Sequence, residues 1–153
     1  MIVLTTTEII TRIAFAIGLG TIIGLERTLA GKGAGMRTYA MITLGSSVFV
    51  IISQIIISTL SSPLIASPLA VPTAVITGIG FIGAGLIILQ ANKITGLTTA
   101  AGLWVSSGVG ISVGFGLYTV AIITTIAAII IFTLMWFIEK LLKRFSYKST
   151  DEE

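Results

Sequence analysis

Residues 78–85 read GIGFIGAG, and Gly78, Gly80 and Gly83 stand in the G-x-G-x-x-G spacing of a dinucleotide-binding turn. In such a turn the missing side chains let the backbone approach a pyrophosphate. The chemistry also needs a strand before the glycines, a helix opening on them, and an acidic residue about 20 positions later. Here the next acidic residue is Glu139, and the flanks form one uncharged run from Pro68 to Leu89. Nucleotide binding is therefore set aside. The most polar stretch, residues 24–38 (GLERTLAGKGAGMRT), carries Glu26, Arg27, Lys32 and Arg37. It is not a phosphate-binding P-loop, because six residues separate Gly24 from Gly31-Lys32 by position and Gly33 follows the lysine where Ser or Thr is needed. Two readings stay open for these four residues: a cytoplasmic loop with a flexible turn, in which Glu26 pairs weakly with Arg27 or Arg37, or a docking site for a partner protein, anionic lipid headgroups or an ion.

Other chemistry is scarce. Cys and His are both absent, which removes thiol nucleophiles, disulfides, imidazole bases and Cys/His zinc sites. No acid/base pair or activated nucleophile converges, so the sequence predicts no enzyme, no catalytic residue and no cofactor. Mg²⁺ binds through carboxylates and retained water. Only Glu8 and Glu26 could serve, and they fall at opposite ends of one predicted span. The metal ligands stay undetermined. Thr77, Thr98, Thr99 and Ser106, beside glycine carbonyls, are candidates for a weaker polar path.

What must position these residues is a membrane. The 153-residue chain is 55% hydrophobic and 10% charged, against about 25% charged in soluble domains. A span needs about 20 apolar residues, and five stretches qualify: about 7–29, 37–60, 68–90, 97–115 and 117–143. Thr5 and Glu8 form a capping box at the first. Ser61, Ser62 and Pro63 end the second. The first stretch is expected to remain as a span and not to be cleaved as a signal. Residues 1–145 form the transmembrane domain, and 146–153 a short polar cytoplasmic tail. Lys and Arg cluster in the 1–2 connection, at Lys93 and in the tail, with only Arg12 on the other side. This places the N-terminus outside and the C-terminus in the cytoplasm.

The glycines are then read as helix contacts, because leucine gains little by burial among lipid tails. Gly20 and Gly24 in span one, Gly78, Gly80, Gly83 and Gly85 in span three, and Gly102, Gly110 and Gly114 in span four predict tight packing of spans one, three and four. Span five is expected to face lipid. Segments 18–48 and 78–109 align with a one-residue slip, which suggests a parallel repeat of one helix pair.

Three ordered motifs resemble the MgtC/SapB family. Gly24, Glu26, Arg27, Lys32, Ala34, Gly35, Arg37 and Thr38 resemble its G-x-E-R…K-x-A-G-x-R-T signature. Thr77 to Gly85 resembles its S-G-I-G-F-L-G-A-G signature. Gly96 to Ala101 with Leu103 and Trp104 resembles its G-L-T-T-A-A-x-L-W signature. The resemblance covers about residues 8–135. It implies a multi-pass protein of the bacterial or archaeal cell membrane, associated with low Mg²⁺, acid stress and virulence. It implies regulation of other membrane proteins, the F-type ATP synthase among them. Two departures matter: Ser67-Pro68-Leu69-Ala70 stands where the family has D-P-x-R, and the C-terminal cytoplasmic domain of many members is not expected after span five. The reading is an all-α, five-helix membrane protein in Mg²⁺ homeostasis that binds other membrane proteins and no nucleic acid. A divalent-cation carrier and an oligomeric scaffold, through Gly80/Ala84 or Gly110/Gly114, remain as alternatives.

Overall fold

The computed structural model describes residues 4–59, 67–90 and 92–148, with no side-chain detail at Gln90 or beyond Leu142. Helix α1 spans Thr6–Leu29, α2 Met36–Thr59 and α3 Ala70–Leu86; strands β1 (Ile88–Gln90) and β2 (Lys93–Thr95) follow, then α4 (Leu97–Gly114) and α5 (Tyr118–Lys148). The capping box opens α1: the Thr5 N–H donates to Glu8 Oε2 at 2.7 Å and the Glu8 N–H to Thr5 Oγ1 at 3.3 Å. Helices α1, α2, α4 and α5 are long and apolar enough to cross a membrane. The break assigned to Ser61, Ser62 and Pro63 lies outside the described residues, as do residues 149–153 of the tail. Residues 146–148 continue α5 as helix and are not a separate coil.

The third element departs from the expected span over 68–90. Helix α3 has 17 residues, about 25 Å at 1.5 Å per residue, short of a core about 30 Å thick. The chain leaves the helix at Ile87 and forms an antiparallel hairpin, with Ile88 opposite Thr95, Leu89 opposite Ile94 and Gln90 opposite Lys93. β-Branched residues favour the extended backbone, and Asn92, at φ 61°, supplies the left-handed turn residue. Gly96 returns the chain into α4 at φ 87°, where a side chain would collide with the Leu86 carbonyl.

The packing centre is α2, which sequence spacing did not single out. A Cβ on Gly24 would meet Met36, and one on Gly20 would meet Thr43 and the Tyr39 carbonyl. α1 therefore runs antiparallel to α2. On the other side Gly102 faces Tyr39, Gly110 faces Thr43 and Ser46, and Gly114 faces Ser47 and Val50. The rising order makes α4 parallel to α2. Thr43 Oγ1 donates to the Ala16 carbonyl at 2.7 Å, which ties α2 to α1.

The expected tight glycine packing is thus found for spans one and four, with α2 as the shared partner, and is corrected for span three. α1 and α4 close on α2, while α3 rests on α4 through Gly83, 3.5 Å from Ala100 for an added Cβ. Gly78, Gly80 and Gly85 have open space where a side chain would stand. Glycine spacing marks a smooth face but not its partner. α2 meets both neighbours with small polar side chains instead. Among the described side chains of α5, Ala121, Thr125, Ala128 and Phe132 are the buried ones, at helical spacing. The aligned segments 18–48 and 78–109 also differ in packing, since Gly20 is buried and its counterpart Gly80 is exposed.

Candidate functional site

Two polar clusters close the bundle at its opposite ends. At one end Arg27 is 3% exposed. Its Nε pairs with the Glu26 carboxylate, the one ion pair among the described residues. Its guanidinium lies over the Phe132 ring of α5, 3.6 Å from the centroid. A cation over an aromatic face gains about 2 kcal/mol or more when desolvated. Tyr39, fully buried, donates its hydroxyl to the Thr99 carbonyl at 3.5 Å. Gly102 makes the room: a Cβ there would strike the Tyr39 hydroxyl and the tip of Phe132. Four helices thus build the cluster.

Arg37 and Lys32 stay outside it, both exposed. Of the two partners expected for Glu26 it is Arg27 that pairs with it, and that side chain is buried. The turn carrying Lys32 is held by Thr28, whose Oγ1 donates to the Gly24 carbonyl at 3.0 Å and accepts from the Met36 N–H at 3.2 Å. Gly35 must lack a side chain because Thr28 Oγ1 occupies its place. Beside this cluster an open cleft of about 760 Å³ lies between the end of α1 and the outer face of α5.

At the other end Arg12 is 9% exposed. It donates to Gln54 Oε1 at 2.7 Å and to the Gly114 carbonyl at 2.6 Å. Gly114 ends α4, so the cation sits at the negative end of that helix dipole. Its Nε has no partner. The sequence contained a signal for this, a charge inside an apolar run. Weighing Arg12 only as the one charge against the orientation rule hid it.

Between the two ends, buried hydroxyls line the α2, α4 and α5 contacts. Ser47, Ser106 and Thr125 have no hydrogen-bond partner. The predicted polar path is not assembled as read. Thr77 is exposed on α3 and donates back to the Thr73 carbonyl at 3.0 Å. Thr98 is exposed at the cleft, Thr99 contributes its carbonyl to Tyr39, and Ser106 alone is fully buried. Gly110 and Gly114 are occupied within the chain, which leaves Gly80 and Ala84 as the exposed small pair. Among the described residues no group of three or more His, Cys, Asp or Glu is placed to hold a metal ion. Ser67, one of the two expected departures from the D-P-x-R signature, accepts the Leu69 N–H on its Oγ at 3.3 Å just before α3 begins.

Long apolar helices that turn large side chains outward, closed at each end by a buried arginine, define a multi-pass helical membrane protein. The chain belongs to the MgtC family, whose profile matches residues 13–141. It is 38% identical over 128 residues to an Escherichia coli K12 protein called putative magnesium transporter YhiD, covering 82% of this chain and 60% of that one. It is 37% identical over 92 residues to protein MgtC of Brucella abortus, covering 60% of this chain and 36% of that one. It is 36% identical over 102 residues to protein SrpB of Synechococcus elongatus, covering 61% of this chain and 56% of that one. The chain thus spans at most about three-fifths of the length of these relatives. No solved structure matches it.

Proposed function

We propose that this chain is a non-enzymatic membrane regulator that serves Mg²⁺ homeostasis and stress adaptation by binding other membrane proteins. The observation that carries the reading is the α1–α2 turn. It presents Lys32 and Arg37 to solvent on a backbone fixed by Thr28, Gly24 and Gly35. A preorganised cationic turn at a membrane edge suits an acidic surface on a neighbouring membrane complex. The F-type ATP synthase is the candidate that family resemblance supplies. The test is cross-linked co-purification of that complex from cells grown at low Mg²⁺. Joint Lys32→Glu and Arg37→Glu should abolish capture while the melting temperature stays unchanged. Undiminished capture removes the turn from this account.

A divalent-cation carrier is the second reading. It is favoured by the unpartnered hydroxyls of Ser47, Ser106 and Thr125 inside the bundle and by the name of the Escherichia coli relative. Mg²⁺ uptake into liposomes holding only this protein separates the two. Regulation predicts no uptake above empty liposomes. Saturable uptake that Ser106→Ala reduces would establish the carrier.

A further inference from the structure

The cleft beside Arg27 shares Lys32 with the cationic turn, but its α5 wall has no role in either reading. Its volume of about 760 Å³ falls within the roughly 300–1,000 Å³ of sites for small molecules. Its wall is apolar, formed by Leu29 of α1 and by Ile131, Met135 and Phe137 of α5. These side chains are exposed, and they lie at the end of a membrane-spanning segment. Trp136 stands in the same wall, with Lys140 Nζ 5.1 Å from its ring centroid. An aromatic ring beside a lysine is the usual composition at headgroup level.

The charges in the cleft decide the occupant. Among the described residues four ionised side chains line it, two of each sign: Arg27 and Lys32 against Glu26 and Glu139. Arg27 and Glu26 neutralise each other. An occupant therefore meets exposed Lys32 on the α1 side and exposed Glu139 on the α5 side. An anionic headgroup would satisfy Lys32 and face Glu139 with a like charge. A zwitterion matches both. A primary ammonium also donates hydrogen bonds to a carboxylate, as a lysine head does, whereas a quaternary one has no N–H to give.

We propose that this cleft seats a zwitterionic phospholipid with a primary ammonium headgroup. Its phosphate lies toward Lys32, its ammonium toward Glu139, and its upper acyl chain along Ile131 and Met135. The assignment needs only that the chain reside in a bilayer. It shares Lys32 with the regulator reading, and Glu139 separates the two: Glu139→Gln should alter lipid retention and leave partner capture intact.

The test is native mass spectrometry of the full purified chain with equimolar phosphatidylethanolamine, phosphatidylcholine and phosphatidylglycerol of identical acyl composition. The ethanolamine lipid should remain bound to the highest collision energy. Glu139→Gln should lower its retention about threefold, the scale of one exposed ion pair, and bring it level with the choline lipid. Lys32→Gln should weaken all three. Both residues are exposed, and the melting temperature of each variant verifies its folding. Preferred retention of the glycerol lipid would overturn the proposal. So would equal retention of ethanolamine and choline lipids by the unaltered protein, an unchanged profile in Glu139→Gln, or a co-purified polypeptide that excludes every lipid.

Discussion

Arg12 and Arg27 carry the same group into the same helix and meet its desolvation differently. Arg27 has a carboxylate and a ring, whereas Arg12 has only neutral acceptors, an amide and a helix-terminal carbonyl. Hydrogen bonds to a charged group are worth about 1.5–3 kcal/mol each when made in the interior. Arg12→Ala removes two such bonds and should therefore lower stability by about 3 kcal/mol or more, read as a fall in the thermal midpoint of the detergent-solubilised protein by circular dichroism. Arg12→Lys should recover part of that loss, because both bonds run from one nitrogen, Nη1, and an ammonium keeps the charge and several donors on a single nitrogen but lacks the planar guanidinium geometry. Equal midpoints for Arg12→Ala and the unaltered protein would show that these bonds contribute nothing. Sequence reasoning singled out Glu26, Arg27, Lys32 and Arg37 because they stand close along the chain. It could not divide them into a buried pair and an exposed pair. What divides them is Phe132, contributed by α5, and no local pattern links a phenylalanine in an apolar run to a distant arginine.

At the scale of elements the glycines fall into two populations that spacing alone does not distinguish. Gly20, Gly24, Gly102, Gly110 and Gly114 stand where backbone or side chains of another element already occupy the Cβ position; Gly78, Gly80 and Gly85 do not. Gly110→Ala should cost about 1–3 kcal/mol, the usual penalty for overpacking a filled interface. Gly80→Ala should cost nothing and could gain about 0.5–1 kcal/mol, because alanine favours helix over glycine. Thermal midpoints of the two variants, measured side by side, test the distinction; a fall in Gly80→Ala would show that α3 is covered in the solubilised protein. The five helices were legible from hydrophobic length, and the start of α1 from its capping box. The end of α3 was not. An apolar run does not reveal whether it continues as helix, and the hairpin depends on one left-handed residue at Asn92.

For the whole molecule, both arginine clusters now have fixed ends. The α1–α2 turn, the β-hairpin and the outgoing half of α5 share one end, and the turn after α4 lies at the other. Charge counting assigns the first end to the cytoplasm. Burial of Arg12 removes the one residue that opposed this assignment, since the rule concerns loops and not side chains consumed inside a bundle. The chain has no cysteine, so single-cysteine labelling needs no background removal. Lys32→Cys should react with a membrane-impermeant maleimide only in inside-out vesicles, and Leu117→Cys only in right-side-out ones. The reverse pattern would invert the orientation.

The bond from Arg12 to the Gly114 carbonyl joins residues 102 positions apart. A ribosome makes Arg12 long before its acceptors exist. Until α2 brings Gln54 and α4 brings Gly114, α1 enters the bilayer with an unsatisfied guanidinium, at a charge of about 2.5–3.5 kcal/mol on insertion scales if it reached the helix centre. Biogenesis therefore has a sequence: α1 is completed as a membrane helix by elements synthesised after it. Nascent chains ending before residue 97 should leave α1 extractable by alkaline carbonate more readily than chains ending after residue 117, and Arg12→Leu should erase that difference.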